Sequence, residues 1–76
     1  MDKYIASDPN ILGGKPVIKG TRIPVYLIVN LMAQRRTAEE IVTDYPDLTK
    51  EDIAAALSFA AESVNYTEQS LLGSYA

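Results

Sequence analysis

Three groupings in this 76-residue chain have residue types and spacing that could carry chemistry. The first is Gly13-Gly14-Lys15, which invites comparison with a phosphate-cradling loop. It lacks the G-x-x-x-x-G-K-[ST] spacing, and Pro16 withdraws a backbone donor, so a tight turn is the expectation and no nucleotide site is assigned. The second is acidic: Glu39-Glu40 and Asp44 with Asp47 could hold a hard cation or work as acid and base. Adjacent residues of a helix do not share a face, and nothing here follows the alternating oxygens of a calcium loop. Acids at helix N-termini are favoured by the helix dipole, which accounts for Glu39, Glu40, Glu51 and Asp52 without catalysis. The third is the cationic pair Arg35-Arg36. The chain has no Cys and no His, which excludes thiol nucleophiles, imidazole bases and a structural zinc site. A protein that is not an enzyme, with no cofactor and no metal, is therefore expected.

The elements that must position these groups fall in two halves. A chain this short is a single domain, 1–76, and buries only about 60% of the surface its unfolded form exposes. With disulfides and zinc excluded, oligomerisation is the remaining support. The formal net charge of −3 conceals a division. Residues 1–36 hold six bases and two acids, for +4; residues 37–76 hold Lys50 and eight acids, for −7. Uneven charge can serve solubility alone, or it can mark two surfaces with different partners.

Residues 1–23 are punctuated by Pro9, Gly13, Gly14, Pro16 and Gly20, with Pro24 following. Between these lie β-prone pieces, Tyr4-Ile5, Ile11-Leu12, Val17-Ile18 and Arg22-Ile23, which predict two or three short strands. From Pro24 the pattern becomes helical. Pro is favoured at a first helical position, and Val25 to Gln34 is apolar nearly all round apart from Asn30. Its Val and Ile content fits a strand as well, but its length near ten residues favours a buried helix. Apolarity on every side demands more cover than a short monomer supplies. Val25, Tyr26, Ile28, Val29 and Met32 are accordingly the candidate dimer interface.

Two more helices follow. Thr37-Ala38-Glu39-Glu40 is a capping box, and Thr49-Lys50-Glu51-Asp52 repeats it with Asp in the acidic position. Pro46 stops the helix between them. Ile53, Leu57, Ala60, Ala61 and Val64 then predict one apolar stripe. Three helices over 24–66, the last two joined through Tyr45-Pro46-Asp47-Leu48, have helix-turn-helix spacing. The tail over 67–76 is expected to be flexible, with Glu68, Leu71, Leu72 and Tyr75 as candidate partner-binding residues.

In the usual docking of a helix-turn-helix, the start of the second helix faces the bases. Here that surface carries Lys50, Glu51, Asp52, Ala55 and Ser58, a poor match to phosphates, and the sequence pI is near 4.7. The basic half offers an alternative, with Lys15, Lys19, Arg22, Arg35, Arg36 and Lys50 as candidate contacts to DNA backbone. A helix-turn-helix that serves only as packing stays open beside it.

The run Ile5…Asp8-Pro9…Gly13-Gly14-Lys15-Pro16-Val17-Ile18-Lys19-Gly20-Thr21-Arg22-Ile23 is followed by Glu39-Glu40-Ile41…Asp44-Tyr45-Pro46…Leu48-Thr49…Asp52-Ile53…Ala56-Leu57…Ala60. Over roughly residues 5–61 this resembles the family of domain of unknown function 433. The resemblance implies an α+β, mainly α fold: a short N-terminal β element, then a three-helix homeodomain-like helix-turn-helix, assembled as a homodimer. It also implies an antitoxin-like regulator that binds operator DNA and blocks a PIN-like ribonuclease toxin. Such sequences often carry Gly where this chain has Arg35, at the end of the first helix. Arg35 must then adopt positive φ at some cost or end the helix differently.

The expected function is that of a dimeric antitoxin-like regulator, with the basic half on DNA and the acidic half on a ribonuclease toxin. The alternative is an interaction module with no nucleic-acid role. The start Met1-Asp2-Lys3-Tyr4 has no basic region followed by an apolar run, and no stretch approaches the ~20 apolar residues of a membrane span. A cytoplasmic location with no membrane contact is expected.

Overall fold

The structure, a computed structural model, describes residues 3–75, with side chains placed through residue 65. Strand β1 (Ile5–Ala6) pairs antiparallel with β2 (Val17–Ile18), Ile5 opposite Ile18 and Ala6 opposite Val17. Helices α1 (Val25–Ala33), α2 (Ala38–Asp44) and α3 (Lys50–Tyr75) follow. The architecture is α+β and mainly α, and the β element is paired within one chain.

Only two of the β-prone pieces become strands. Ile11-Leu12 instead enters a left-handed turn: Leu12, Gly13 and Gly14 have φ of 51°, 66° and 88°. The two glycines accept that turn at little cost, and their neighbour Leu12 takes a conformation that side chains resist. Arg22-Ile23 lies beside β2 without forming a strand. The Ile18 N–H donates to the Ile23 carbonyl (2.9 Å) and Val17 bridges Pro24, where the missing N–H stops the ladder. Between these, Lys19-Gly20 turns the chain; Gly20 has φ of 82°, and the Thr21 N–H closes the turn on the Ile18 carbonyl at 3.0 Å.

Pro24 is the residue capping α1, with ψ of 151°, one position earlier than the first helical residue. At the other end α1 closes with a complete Schellman motif. The Arg36 N–H donates to the Leu31 carbonyl and the Arg35 N–H to that of Met32, both at 3.0 Å. Arg35 stands in the left-handed position at φ 67°, where glycine is the common choice. The side chain strains that position, so Arg35→Gly should stabilise the fold by about 1 kcal/mol. In a domain of this size that raises the thermal midpoint by roughly 4–8 °C, readable by circular dichroism. An unchanged or lower midpoint would show that Arg35 bears no strain.

The two caps form as their sequences require. Thr37 Oγ1 accepts from the Glu40 N–H (3.1 Å) and Glu40 Oε1 accepts from the Thr37 N–H (2.9 Å). Thr49 and Asp52 exchange the same pair at 3.1 and 3.0 Å. Between α2 and α3, the Leu48 N–H donates to the Tyr45 carbonyl (2.9 Å), which turns Leu48 into the core.

The core consists of Ile5, Ile18, Val25, Ile28, Ile41, Leu48, Ile53 and Ala56. α1 packs on α3, α2 touches both, and β1 reaches α3. Val25 and Ile28 are therefore covered by their own chain, which corrects their place among the interface candidates. The α3 stripe is also shorter than its sequence suggests: Ile53 and Ala56 are buried and Leu57 and Ala60 half-buried, whereas Ala61 and Val64 are exposed. Length explains this. At 1.5 Å per residue the nine residues of α1 reach about 14 Å, and the 26 of α3 about 39 Å, so α3 outruns the helix that covers it.

Candidate nucleic-acid and partner interfaces

The candidate cations separate into two groups once their neighbours are known. Arg36, half-buried after the α1 cap, donates through a terminal nitrogen to the Asp44 carboxylate, and its Nε lies 3.8 Å from Glu40. Lys50, at the start of α3, places Nζ 3.1 Å from Glu39 Oε2. Both cations next to the helix-turn-helix are thus matched by acids of α2. Lys15, Lys19, Arg22 and Arg35 are exposed and take no part in the ion pairs found among the described residues.

The surroundings of these four differ. Lys15 extends its ammonium over the Tyr26 ring, 5.2 Å from the centroid, an attraction between cation and π face. Lys19 stands on the turn after β2. Arg22 shares a shallow cleft of about 680 Å³ with Asp8, Thr21 and Asp47, where the β element meets the α2–α3 turn. Arg35 projects from its left-handed cap. Three of the four therefore lie on or next to the β element and its turns, and the fourth at the far end of α1. In the Gly13-Gly14-Lys15 turn, the N–H groups of Gly14 and Lys15 are committed to the carbonyls of Ile11 and Leu12. Those two donors are turned inward, away from any phosphate.

The acids of α2 are set for folding. The N–H of Glu39 itself, and then Lys50, hold the Glu39 carboxyl below its usual range. Hydrogen bonds from the Thr37 N–H and hydroxyl do the same for Glu40, with a smaller contribution from Arg36. Because both pKa values are lowered on folding, their stabilisation is complete above the ordinary carboxylate value of 4.5 and is lost as pH falls through the folded values. Thermal midpoints should hold steady above about pH 5.5 and fall below about pH 4.5, with Glu40→Gln flattening the fall. A midpoint that is level down to about pH 3 would contradict this. Arg36, Glu39, Glu40, Thr43 and Asp44 together line a shallow acidic concavity of about 270 Å³. Among the described residues there is no group of three or more His, Cys, Asp or Glu that could hold a metal ion.

At the start of α3, Glu51 and Ser58 are exposed, Asp52 is engaged in the cap and Ala55 is half-buried. The usual recognition surface is therefore acidic, with its lysine already paired. Of the interface candidates, Tyr26 is exposed and Val29 and Met32 are half-buried. Glu68, Leu71, Leu72 and Tyr75 lie outside the described side chains. No helix among the described residues is long and apolar enough to cross a membrane.

The Arg36–Glu40–Asp44 ladder has a signal in the sequence, since the three residues are spaced by four. The Glu39–Lys50 pair has none, because only the angle between α2 and α3 brings those side chains together.

Comparison with known proteins supports the same fold. A crystal structure of a DUF433 member protein from Anabaena variabilis ATCC 29413 superposes with a TM-score of 0.76 at 30% identity, over 91% of this chain and 68% of that one. A protein of Sinorhizobium fredii (strain NBRC 101917 / NGR234) named "Uncharacterized protein y4eO" is 39% identical over 58 residues. The match takes in 76% of this chain and 26% of that protein, so the chain spans about a quarter of the relative's length. The family model described as "Protein of unknown function (DUF433)" matches residues 5–60, the β element and all of the helix-turn-helix core. The chain belongs to the DUF433 family.

Proposed function

We propose that this protein is a non-enzymatic, dimeric, antitoxin-like regulator that contacts DNA backbone through its basic N-terminal half. The observation that carries the reading is the segregation of charge. Lys15, Lys19, Arg22 and Arg35 are exposed cations with no acidic partner among the described residues, while Arg36 and Lys50 are neutralised by α2. Unpaired cations release counterions when they meet phosphates, and this supplies sequence-independent affinity. Paired cations must first give up their carboxylates. The contact set therefore narrows to four residues per chain, and a dimer doubles it.

The acidic half serves the second role in this reading. A ribonuclease of the PIN-like class has a substrate groove suited to phosphates, and an acidic segment can occupy it by charge complementarity. Mixing excess protein with a cognate ribonuclease should suppress RNA cleavage; undiminished cleavage removes the toxin-blocking role. One observation favours a different reading, an interaction module whose helix-turn-helix is only core. It is the acidic first turn of α3, Glu51 and Asp52, where base contacts would ordinarily be made. A gel-shift titration with the protein's own upstream DNA separates the two, since the module produces no salt-sensitive shift.

A further inference from the structure

Two glycine turns flank β2, and they differ in where their backbone donors go. In the first, the Gly14 and Lys15 N–H groups are committed to the Ile11 and Leu12 carbonyls. In the second, Lys19-Gly20-Thr21-Arg22, the donors alternate. The Lys19 N–H goes to the Tyr4 carbonyl (2.8 Å), the Thr21 N–H to the Ile18 carbonyl (3.0 Å) and the Ile23 N–H to Thr21 Oγ1 (3.0 Å). The N–H groups of Gly20 and Arg22, between them, have no partner among the described residues. We propose that this turn is a preformed phosphate site, in which the Lys19 and Arg22 side chains and the two free N–H groups hold one phosphate of a DNA strand. This rests on the DNA-binding reading above and names the group that makes the fixed contact.

Lysine, arginine and backbone N–H groups are the donors that proteins aim at DNA phosphates, and all three kinds meet in these four residues. The Arg22 guanidinium can give two parallel bonds to one phosphate. Because the Ile18 N–H donates to the Ile23 carbonyl (2.9 Å), Lys19 and Arg22 leave the base of one tight turn, within reach of a single anion. The turn is also rigid before any ligand arrives. Thr21 Oγ1 donates to the Ile18 carbonyl (2.8 Å) while it accepts from Ile23, and Val17 and Ile18 beneath are buried. A site ordered in advance loses little freedom on binding. The tip is open as well: Lys19, Gly20 and Arg22 are exposed, and a Cβ added at Gly20 would meet nothing within 4 Å.

The neighbouring acids decide the direction of approach. Asp8 and Asp47 share the cleft with Arg22, and neither forms an ion pair with it. Their charge repels a phosphate from the cleft, so the anion is met at the tip of the turn. Lys15 and Arg35 play a lesser part, because their own N–H groups are spent on the Leu12 and Met32 carbonyls. Each offers a side-chain charge with no backbone donor beside it.

Amide NMR spectra of the isotope-labelled full chain, titrated separately with a duplex from its own upstream region and with inorganic phosphate, test this. Both should shift the Gly20 and Arg22 amide resonances far more than that of Gly14, the duplex at much lower concentration. By anisotropy with the same duplex, Lys19→Ala with Arg22→Ala should weaken binding roughly thirtyfold, and Lys15→Ala with Arg35→Ala about threefold. Thr21→Val loses both hydroxyl bonds and should weaken binding about fivefold, while Thr21→Ser should restore it. Asp47→Asn, at an exposed position, should strengthen binding about twofold. A duplex that binds without shifting Gly20 and Arg22, or equal losses from the two double variants, would overturn this site and leave the DNA-binding reading standing. No duplex binding, with both amides still moved by inorganic phosphate, would overturn the DNA reading and keep the site for a free phosphate. Amides unmoved by either ligand would overturn both. Full affinity in Thr21→Val would remove the positioning role of its hydroxyl.

Discussion

Replacing Ile28 with Ala should remove about 3 kcal/mol of stability. Ile28 has no exposed surface and lies on α1 in the cluster that joins Ile5, Ile18, Ile41, Leu48 and Ile53. Truncating it deletes three carbons and leaves a void that the neighbours fill only in part. Native domains have roughly 0.05–0.15 kcal/mol of stability per residue, which for this length is about 4–11 kcal/mol in all. One substitution therefore removes a large share of the total, because a core of eight residues has few others to compensate. Thermal or urea unfolding followed by circular dichroism measures the effect. Val64→Ala, at an exposed position, should change monomer stability by no more than about 0.5 kcal/mol. Equal effects at the two sites would mean that the core lies elsewhere.

Most of this architecture is legible in the sequence, for local reasons. Thr37 with Glu40 and Thr49 with Asp52 declare two helix starts, and both form with the reciprocal hydrogen bonds their side chains permit. Pro46 and the buried Leu48 declare the turn between α2 and α3. Ile11-Leu12 misleads because an apolar pair between turn residues reads as strand until the following Gly-Gly imposes positive φ. The α3 stripe misleads because periodicity reports which side of a helix is apolar, and the length of the neighbouring helix decides how much of that side is covered. Val64 satisfies the period and still faces outward.

The candidate site is less legible than the fold. Charge counting divides the chain at residue 36, but it cannot tell a free cation from a paired one. Lys50 finds Glu39 eleven residues away only through the angle between two helices. Arg35 and Arg36 are adjacent in sequence and have opposite fates. The Schellman turn sends Arg35 outward at positive φ and turns Arg36 back toward Glu40 and Asp44.

That division gives the second large effect. Changing Lys15, Lys19, Arg22 and Arg35 together to Ala should reduce affinity for duplex DNA on the order of a hundredfold or more, uniformly across sequences. The slope of log affinity against log salt should flatten by about 0.9 for each phosphate that is no longer neutralised. All four side chains are exposed, so the fold should persist. Changing Arg36 and Lys50 to Ala should leave DNA affinity nearly unaltered. Its cost should be a few tenths of a kcal/mol of stability, since exposed ion pairs contribute little. The reverse pattern would place DNA on the helix-turn-helix and dismiss the basic half.

The proposed function rests on the free cations of the N-terminal half as the contact to DNA. Fluorescence anisotropy with a labelled duplex from the protein's own upstream region, titrated across salt, tests it most directly. The predicted result is saturable binding at micromolar protein in about 50 mM salt, weakening steeply by about 200 mM. No binding at tens of micromolar protein in low salt would contradict it.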